Sequence, residues 1–209
     1  MSYKIAIDDG HGLETAGKQS PNKTKENSFN DAVKQYLIDE LKRNNFEVVD
    51  CSPERTDNTL RDRCDRANKA KANIFISIHY NAIGDVWQNQ ISGIETYSYP
   101  GSSISKSLAE TIHNQLISGL KRKDNGTKTA NFYVLRNTNM PAILLELGYM
   151  DSPGDYELML SNDYRQNCAS EICRGICKYF GVSYKNKKEV KKEKLKMLFE
   201  EILGVFDEE

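Results

Sequence analysis

Apolar and polar positions along this chain predict strands that alternate with helices. The short apolar runs typical of buried strands are residues 3–8, 46–50, 73–79, 91–99 and 142–146. Apolar residues at helical spacing predict helices at about residues 28–44, 59–71, 103–120 and 163–180. This alternation indicates an α/β fold with three layers and a mostly parallel sheet.

Three other segments have weaker patterns. Residues 9–26 are polar and rich in glycine and lysine, which predicts a long loop of the kind that is often functional. Residues 121–129 contain Asn125-Gly126 and are interpreted as a polar turn, and residues 131–135 as a short strand or extended segment.

The end of the chain differs in composition, which predicts a domain at residues 1–183 and a charged tail at 184–209. Residues 185–196 are rich in lysine, and Leu195, Leu198, Ile202 and Val205 have the spacing of a short amphipathic helix. Its basic residues precede its acidic ones, which opposes the helix dipole, so the helix needs a packing partner. It is a linker, a helix docked on its own domain, or a candidate for homodimer formation.

Composition is that of a soluble globular protein, with 209 residues, 38% hydrophobic and 28% charged. A net charge of −1 favours no nucleic-acid partner. We expect no membrane span, because no run approaches about 20 apolar residues. The first residues lack a signal-peptide pattern, which predicts synthesis in the cytoplasm. Five cysteines without C-x-x-C spacing predict reduced, partly buried thiols.

Ionisable groups follow three of the apolar runs: His11, His79 and Glu146. Ligands bind outside the carboxyl ends of strands in an open α/β sheet, and imidazole is the commonest side-chain metal ligand. Buried ionisable groups without partners are costly, and a divalent metal would stabilise all three. Hydrolytic zinc sites often combine two histidines and one glutamate with an open position for water.

The remaining carboxylates leave alternatives. Glu14 and Glu26 compete as the third ligand, and the phase of the first helix favours Glu26. Glu146 is the candidate general base, and Glu95 is its rival or a residue that holds the substrate.

Other polar residues have simpler interpretations. His113 lies in the middle of a predicted helix and is expected at the surface. The basic run at residues 61–66 is interpreted as a salt-bridged helix face, from which Arg61 or Arg66 could orient a carboxylate near the site.

Several segments, in this order, resemble a family of zinc-dependent N-acetylmuramoyl-L-alanine amidases found in bacterial autolysins and phage endolysins. The resemblance covers about residues 3–181. Its segments are Ile7-Asp8-Asp9-Gly10-His11-Gly12, Lys25-Glu26-Asn27, residues 60–68, Ser77-Ile78-His79-Tyr80-Asn81-Ala82, residues 93–97 and Pro141–Tyr149.

The resemblance implies a sheet of about six strands, with zinc held by His11, Glu26 and His79. It implies peptidoglycan as the substrate and hydrolysis of the amide between N-acetylmuramic acid and L-alanine. Zinc would polarise the carbonyl and activate water, while Glu146 moves the proton. The candidate substrate-contacting residues are Glu95, Arg61, Arg66 and Asn81. The enzyme would act on the wall after release from the cell.

The chain departs from the family pattern at Asp9, where proline is usual. Only a tail of about 25 residues stands where many relatives carry a wall-binding domain. Two alternatives remain: a zinc peptidase that cuts within the stem peptide, and a non-catalytic module that binds peptidoglycan.

Overall fold

The predicted sheet is present in a computed structural model, which describes residues 2–53 and 57–206, without the side chains of 193, 194 and 200–206. The strands are β1 (Lys4–Asp9), β2 (Glu47–Asp50), β3 (Ile74–Asn81), β4 (Ile94–Ser98), β5 (Asp124–Thr129) and β6 (Ala142–Tyr149). The helices are α1 (Glu26–Arg43), α2 (Leu60–Lys69), α3 (Ser103–Leu120), α4 (Tyr133–Arg136), α5 (Pro153–Leu160), α6 (Asn162–Phe180) and α7 (Lys187–Phe206).

The strand order is β2-β1-β3-β6-β4-β5. Strands β2, β1, β3 and β6 are mutually parallel, β4 is antiparallel to β6, and β5 is parallel to β4. The prediction of a mostly parallel α/β sheet is therefore confirmed. The parallel group brings the carboxyl ends of β1, β3 and β6 to one edge, where the candidate residues lie.

Helices cover both faces of the sheet because its strands have apolar side chains on both sides. Ile5 and Ile7 join the core that includes residues of α1, α3 and α6, whereas Ala6 joins a second core with residues of α2 and α4. Neighbouring residues of a strand point to opposite faces, so one apolar run supplies both cores. This arrangement gives the three predicted layers.

Two segment predictions are wrong. Residues 124–129 form the edge strand β5 rather than a turn, and residues 133–136 form one turn of helix rather than an extended segment. Among the described residues β5 pairs with β4 alone, and it is largely exposed, so it needs no apolar pattern. Helix α5 was not predicted from the sequence.

The prediction that His113 lies at the surface is also wrong. The imidazole is 2% exposed, with Nδ1 3.0 Å from Thr96 Oγ1 and Nε2 2.8 Å from Asp124 Oδ1. Its partners belong to β4 and β5, which cover this side of α3. A polar residue on an inward helix face is accommodated here because both ring nitrogens have partners.

The tail begins close to the domain and continues as one helix. Lys185 N donates to Asn44 Oδ1 at 2.6 Å, and Tyr184 Oη donates to Glu40 Oε2 at 2.7 Å. Helix α7 follows, and its described apolar side chains are more than half exposed at Leu195, Met197, Leu198 and Phe199. The separate tail and the homodimer stay predictions.

Two further expectations concern cysteines and membranes. All five cysteines are free and buried, as predicted for reduced thiols. Among the helices in the described part of the chain, none has both the length and the apolar character needed to cross a membrane.

Candidate metal centre and active site

Three side chains from separate elements meet at the carboxyl edge of the sheet. His11 follows β1, His79 lies in β3, and Glu26 is the first residue of α1. One ligand atom from each residue lies within 4.8 Å of the others. Glu26 Oε1 is 3.1 Å from His79 Nδ1, and Glu26 Oε2 is 3.4 Å from His11 Nε2. A single metal ion can therefore contact all three.

Glu26, not Glu14, occupies this position. Its side chain is almost fully buried, and Oε1 also accepts hydrogen bonds from Tyr80 N and Asn30 Nδ2, both at 3.1 Å. Glu14 is exposed in the loop that precedes α1. The helix begins at residue 26, which turns the first carboxylate toward the strand ends, as the helix phase suggested.

The three candidate ligands influence one another electrostatically. Although burial opposes ionisation, the hydrogen bond with His79 and the charges of both imidazoles hold the pKa of Glu26 at about 2. Burial lowers the pKa of His11 to about 4 against the attraction of Glu26. For His79, burial is outweighed by Glu26, so its pKa is raised. The lowered pKa values keep Glu26 ionised and His11 neutral at neutral pH, as metal ligands require, whereas the raised pKa of His79 favours a proton that a metal ion would have to displace.

Arg63 holds the backbone that carries His11. His11 has a φ of 64°, a left-handed conformation that is uncommon for a residue other than glycine. Arg63 Nη1 donates to the Asp8 carboxylate and the Asp9 carbonyl, and Nη2 donates to the His11 carbonyl at 2.9 Å. Asn27 Nδ2 donates to the same His11 carbonyl at 3.1 Å. These bonds stabilise the turn that directs the imidazole toward Glu26.

Residues 61–66 were interpreted as a salt-bridged helix face; Arg61 forms such a bridge at the surface, whereas Arg63 is 1% exposed and forms its salt bridge with Asp8 in the interior. The sequence contains a signal for this position. Arg63 lies beside Cys64 and four residues before Ala67, the apolar and buried positions of α2, so it falls on the inward stripe. Sequence reasoning missed it because a charged residue on that stripe was assigned to solvent.

Asp9, where the family pattern has proline, forms an ion pair with a buried cation. Lys34 Nζ is 3.1 Å from Asp9 Oδ1, and Asn27 Nδ2 is 3.1 Å from Oδ2. Both charged side chains are nearly inaccessible to solvent. The departure therefore adds a buried ion pair behind the turn and leaves His11 in place.

Gly10 is required by the close approach of His79. A Cβ atom added at Gly10 would lie 2.0 Å from Cε1 of the His79 ring, far inside van der Waals contact. The two strand ends can therefore bring their imidazoles together only because residue 10 has no side chain.

Glu146 lies beside the three candidate ligands with one oxygen unmatched. It pairs in register with His79 on β3 and with Glu95 on β4. Its Oε2 atom is shielded from solvent and, among the described residues, has no hydrogen-bond partner. Burial, together with the charges of Glu26 and Glu95, outweighs His79 and raises the pKa of Glu146 to about 8. Such a carboxyl group can accept or donate a proton near neutral pH.

Glu95, the rival base, has a different environment. Lys128 Nζ lies 2.7 Å from its Oε1, and the hydroxyls of Tyr97 and Tyr149 also donate to its carboxylate. Burial opposes ionisation, but these three groups prevail and lower the pKa of Glu95. The geometry thus favours Glu146 over Glu95 for proton transfer.

The other candidate substrate-contacting residues are dispersed. Asn81 lines the same cleft as the metal centre. The Arg61 side chain is 80% exposed and pairs with Asp65 at 3.4 Å on its own helix. Arg66 Nη1 donates to Cys51 O at 2.9 Å and Asn58 Oδ1 at 2.6 Å, so it braces the segment before α2. The structure does not bring Arg61 to the metal centre.

The metal centre opens into a cleft of about 790 Å³, a size suited to a substantial ligand. Besides the residues already described, side chains of four other segments line it: Lys18, Leu60, Ile83, and Phe132 with Tyr133. The cleft therefore joins a three-donor centre, a carboxyl group near it and a wall of mixed apolar and polar side chains.

Known proteins are similar to this chain in sequence and in fold. The profile of the N-acetylmuramoyl-L-alanine amidase family matches residues 5–178. The N-acetylmuramoyl-L-alanine amidase CwlM of Bacillus licheniformis is 34% identical over 184 residues, which are 86% of this chain and 70% of that protein.

Two solved structures are similar across the domain. An N-acetylmuramoyl-L-alanine amidase from Clostridium difficile 630 superposes with a TM-score of 0.82 at 32% identity, covering 86% of this chain and 97% of that one. The catalytic domain of CwlV, an amidase of the same name from Bacillus (Paenibacillus) polymyxa var. colistinus, has a TM-score of 0.80 at 33% identity, covering 87% and 99%. The family match spans most of the chain and includes every element of the cleft, so this chain belongs to the N-acetylmuramoyl-L-alanine amidase family.

Proposed function

We propose that this chain is a zinc-dependent amidase that hydrolyses the bond between N-acetylmuramic acid and L-alanine in peptidoglycan. The observation that supports it best is the meeting of His11, Glu26 and His79 around one point, with the unmatched oxygen of Glu146 beside them. Family membership supports the choice of bond.

The donor set fits zinc. Two imidazole nitrogens and one carboxylate are a common ligand set of hydrolytic zinc sites, and the free oxygen of Glu146 gives the cleft a proton acceptor that needs a partner. Zinc bound there would polarise the scissile carbonyl and make water a better nucleophile at neutral pH.

The chain's own residues then move one proton. Glu146 accepts it from the attacking water and returns it to the amine nitrogen of L-alanine as the amide bond breaks. Arg63 and Asn27 keep the turn at His11 rigid, and Asn81 is placed to contact the substrate from the end of β3.

Digestion of purified peptidoglycan with mass analysis of the products tests the bond. We expect intact stem peptides with a free L-alanine amine, together with peptide-free glycan. Shortened stems that remain on the sugar would indicate the peptidase instead. The absence of any product with zinc loaded would indicate a binding module.

Metal dependence is measured separately. We expect about one zinc per chain by elemental analysis, loss of hydrolysis with a chelator, and recovery on adding zinc. Replacing His79 by alanine should lower the bound zinc, whereas replacing the buried His113 should leave it unchanged. Equal zinc in both variants would contradict the assigned ligand.

A further inference from the structure

The loop between β3 and β4, residues 82–92, presents apolar side chains to solvent beside the cleft. Ile83 is 62% exposed, Val86 61% and Trp87 37%. Exposed apolar groups that cluster next to a binding cleft mark a ligand surface more often than isolated ones do. We refer to residues 82–92 as the β3–β4 loop.

Hydrogen bonds hold the β3–β4 loop in this position. Asp151 Oδ2 accepts from Ile83 N and Gly84 N, both at 2.9 Å, and Asp151 O accepts from Gln88 N at 2.7 Å. The Asp151 side chain is fully buried, so its carboxylate anchors the loop from beneath. A surface ordered before binding loses less entropy when a ligand arrives.

Trp87 is held by a second contact. Its ring lies 5.2 Å from that of Tyr156, edge to face, and the Tyr156 hydroxyl is 2.7 Å from Thr24 Oγ1. Thr24 precedes the candidate ligand Glu26 by two residues. The indole is therefore tied to the segment that enters the metal centre, and part of it stays open to solvent.

The β3–β4 loop is continuous with the cleft. Ala82, Ile83 and Gly84 line the same cavity as His79 and Glu146. A polymer whose scissile amide lies at the metal centre has to continue onto the adjoining surface. The loop is one of the surfaces that it can reach without leaving the cleft.

The chemistry of the loop favours the sugar part of such a polymer. Its only charged residue is Asp85, and it contains amide side chains at Gln88, Asn89 and Gln90. The glycan strand is neutral: its pyranose rings have apolar C–H faces that stack on an indole, and its hydroxyl and acetamido groups bond to amides. The stem peptide has free carboxylates, for which Lys18 elsewhere on the cleft wall is the better partner.

We propose that the β3–β4 loop is a binding subsite for the glycan strand of peptidoglycan, with Trp87 stacked on a sugar ring. The subsite rests on the proposed amidase function, because that function makes peptidoglycan the polymer in the cleft.

Trp87 provides a direct probe, because it is the only tryptophan of the chain. Oligomers of N-acetylglucosamine, which are uncharged and have the same pyranose faces and acetamido groups, are titrated into the full zinc-loaded protein, and indole emission is recorded. We expect a saturable shift of the emission. Free stem peptides at the same concentrations should produce none. A shift with stem peptides alone, or with neither ligand, would overturn the proposal.

Variants separate this contact from catalysis. Trp87→Ala should raise the KM for polymeric peptidoglycan about tenfold, the factor expected for one aromatic contact. Hydrolysis of a muramoyl peptide with a single sugar should change less than twofold, because it cannot reach the loop. Trp87→Phe keeps an aromatic face and should recover most of the polymer KM.

Tyr3→Ala is the matched control. Tyr3 is also 37% exposed and stacks on another aromatic ring, Phe180, at 4.0 Å, but it precedes the amino end of β1 and so lies at the opposite edge of the sheet. It should change neither substrate. A Trp87→Ala variant with the KM of wild type on the polymer would refute the subsite. If wild type does not release stem peptides at all, the amidase function fails, while the emission titration still reports on glycan binding.

Discussion

Glu95 of β4 and Glu146 of β6 are paired in register, yet their pKa values are shifted in opposite directions. Glu95 is surrounded by Lys128, Tyr97 and Tyr149, which lower its pKa, whereas burial raises the pKa of Glu146 to about 8 and leaves one oxygen unmatched. A carboxylate with hydrogen-bond and ion-pair partners stabilises the fold, whereas a carboxyl group without such partners is available to exchange a proton.

Other carboxylates at this edge also pair with buried cations. Asp8 pairs with Arg63 and Asp9 with Lys34, although burial outweighs Lys34 and raises the pKa of Asp9. Among the carboxylates at this edge, matched groups thus fix the backbone around the metal centre. Glu146 differs from them, which is why its position beside the three donors has chemical meaning.

The largest effect should come from replacing the unmatched carboxyl group. Glu146→Gln keeps the shape but cannot accept a proton, and we expect a fall in kcat of about 10²–10⁴-fold, the usual contribution of a general base. Zinc content should stay at the wild-type level. Glu95→Gln is the control, with an expected fall of less than tenfold, and the reverse order of the two variants would exchange their roles.

Arg63→Lys tests the guanidinium group that forms an ion pair with Asp8. Lysine keeps the positive charge, but its ammonium group cannot donate at once to the Asp8 carboxylate and to the carbonyls of Asp9 and His11. The turn at His11 should therefore become less rigid. We expect zinc affinity to fall about 10–100-fold, as for other groups that orient metal ligands. Competition with a chromophoric chelator measures it. Arg61→Lys, on the exposed face of the same helix, should bind zinc as wild type does; equal affinities for both variants would show that the turn needs no such brace.

Tyr149→Phe removes one buried donor from Glu95. Hydrogen bonds to charged groups contribute about 1.5–3 kcal/mol, so we expect the free energy of unfolding in urea to fall by that amount. Tyr97→Phe removes a donor to the same carboxylate from a half-buried position and should cost less. A larger loss for Tyr97→Phe would mean that burial does not set the strength of these bonds.

The smallest effect concerns pH. Because the pKa of Glu95 in the folded protein lies below its usual value of about 4.3, its ionised form stabilises the fold above that pH, and this stability is lost as the pH falls through the folded pKa. The difference in unfolding free energy between wild type and Glu95→Gln should therefore shrink from about pH 5 to about pH 3. A difference that grows on acidification would show that the pKa is raised instead.

Strands β1, β3 and β6 were predictable because each is a buried apolar run, whereas β2 is a short, partly exposed strand that was predicted from Phe46, Val48 and Val49. The run before His79 and the run up to Glu146 extend further than predicted, since pairing between β3 and β6 continues through Asn81 and Tyr149. β5 escaped prediction because an exposed edge strand needs no apolar residues. Glu26 was favoured over Glu14 because of its phase on the predicted helix, which depends on the local sequence and is retained in the folded structure.

Other features depend on contacts between distant segments. His113 was expected at the surface because its partners, Thr96 and Asp124, belong to other elements. The role of Arg63 was missed for the same reason, since its acceptors lie more than 50 positions earlier in the chain. The apolar surface at Trp87 also needed coordinates, because the loop's anchor, Asp151, is far from it in sequence.

The sequence by itself determined the fold class, the edge of the sheet at which chemistry occurs and the residue types that meet there, since these follow from local periodicity and from the direction of parallel strands. The tertiary structure decided which carboxylates have ion-pair and hydrogen-bond partners. Glu95 is bonded by Lys128 and Tyr149 of neighbouring strands and by Tyr97 of its own strand, whereas burial dominates the environment of Glu146. Charge matching acts through space, over a few ångströms, and the order of residues along the chain does not contain those distances.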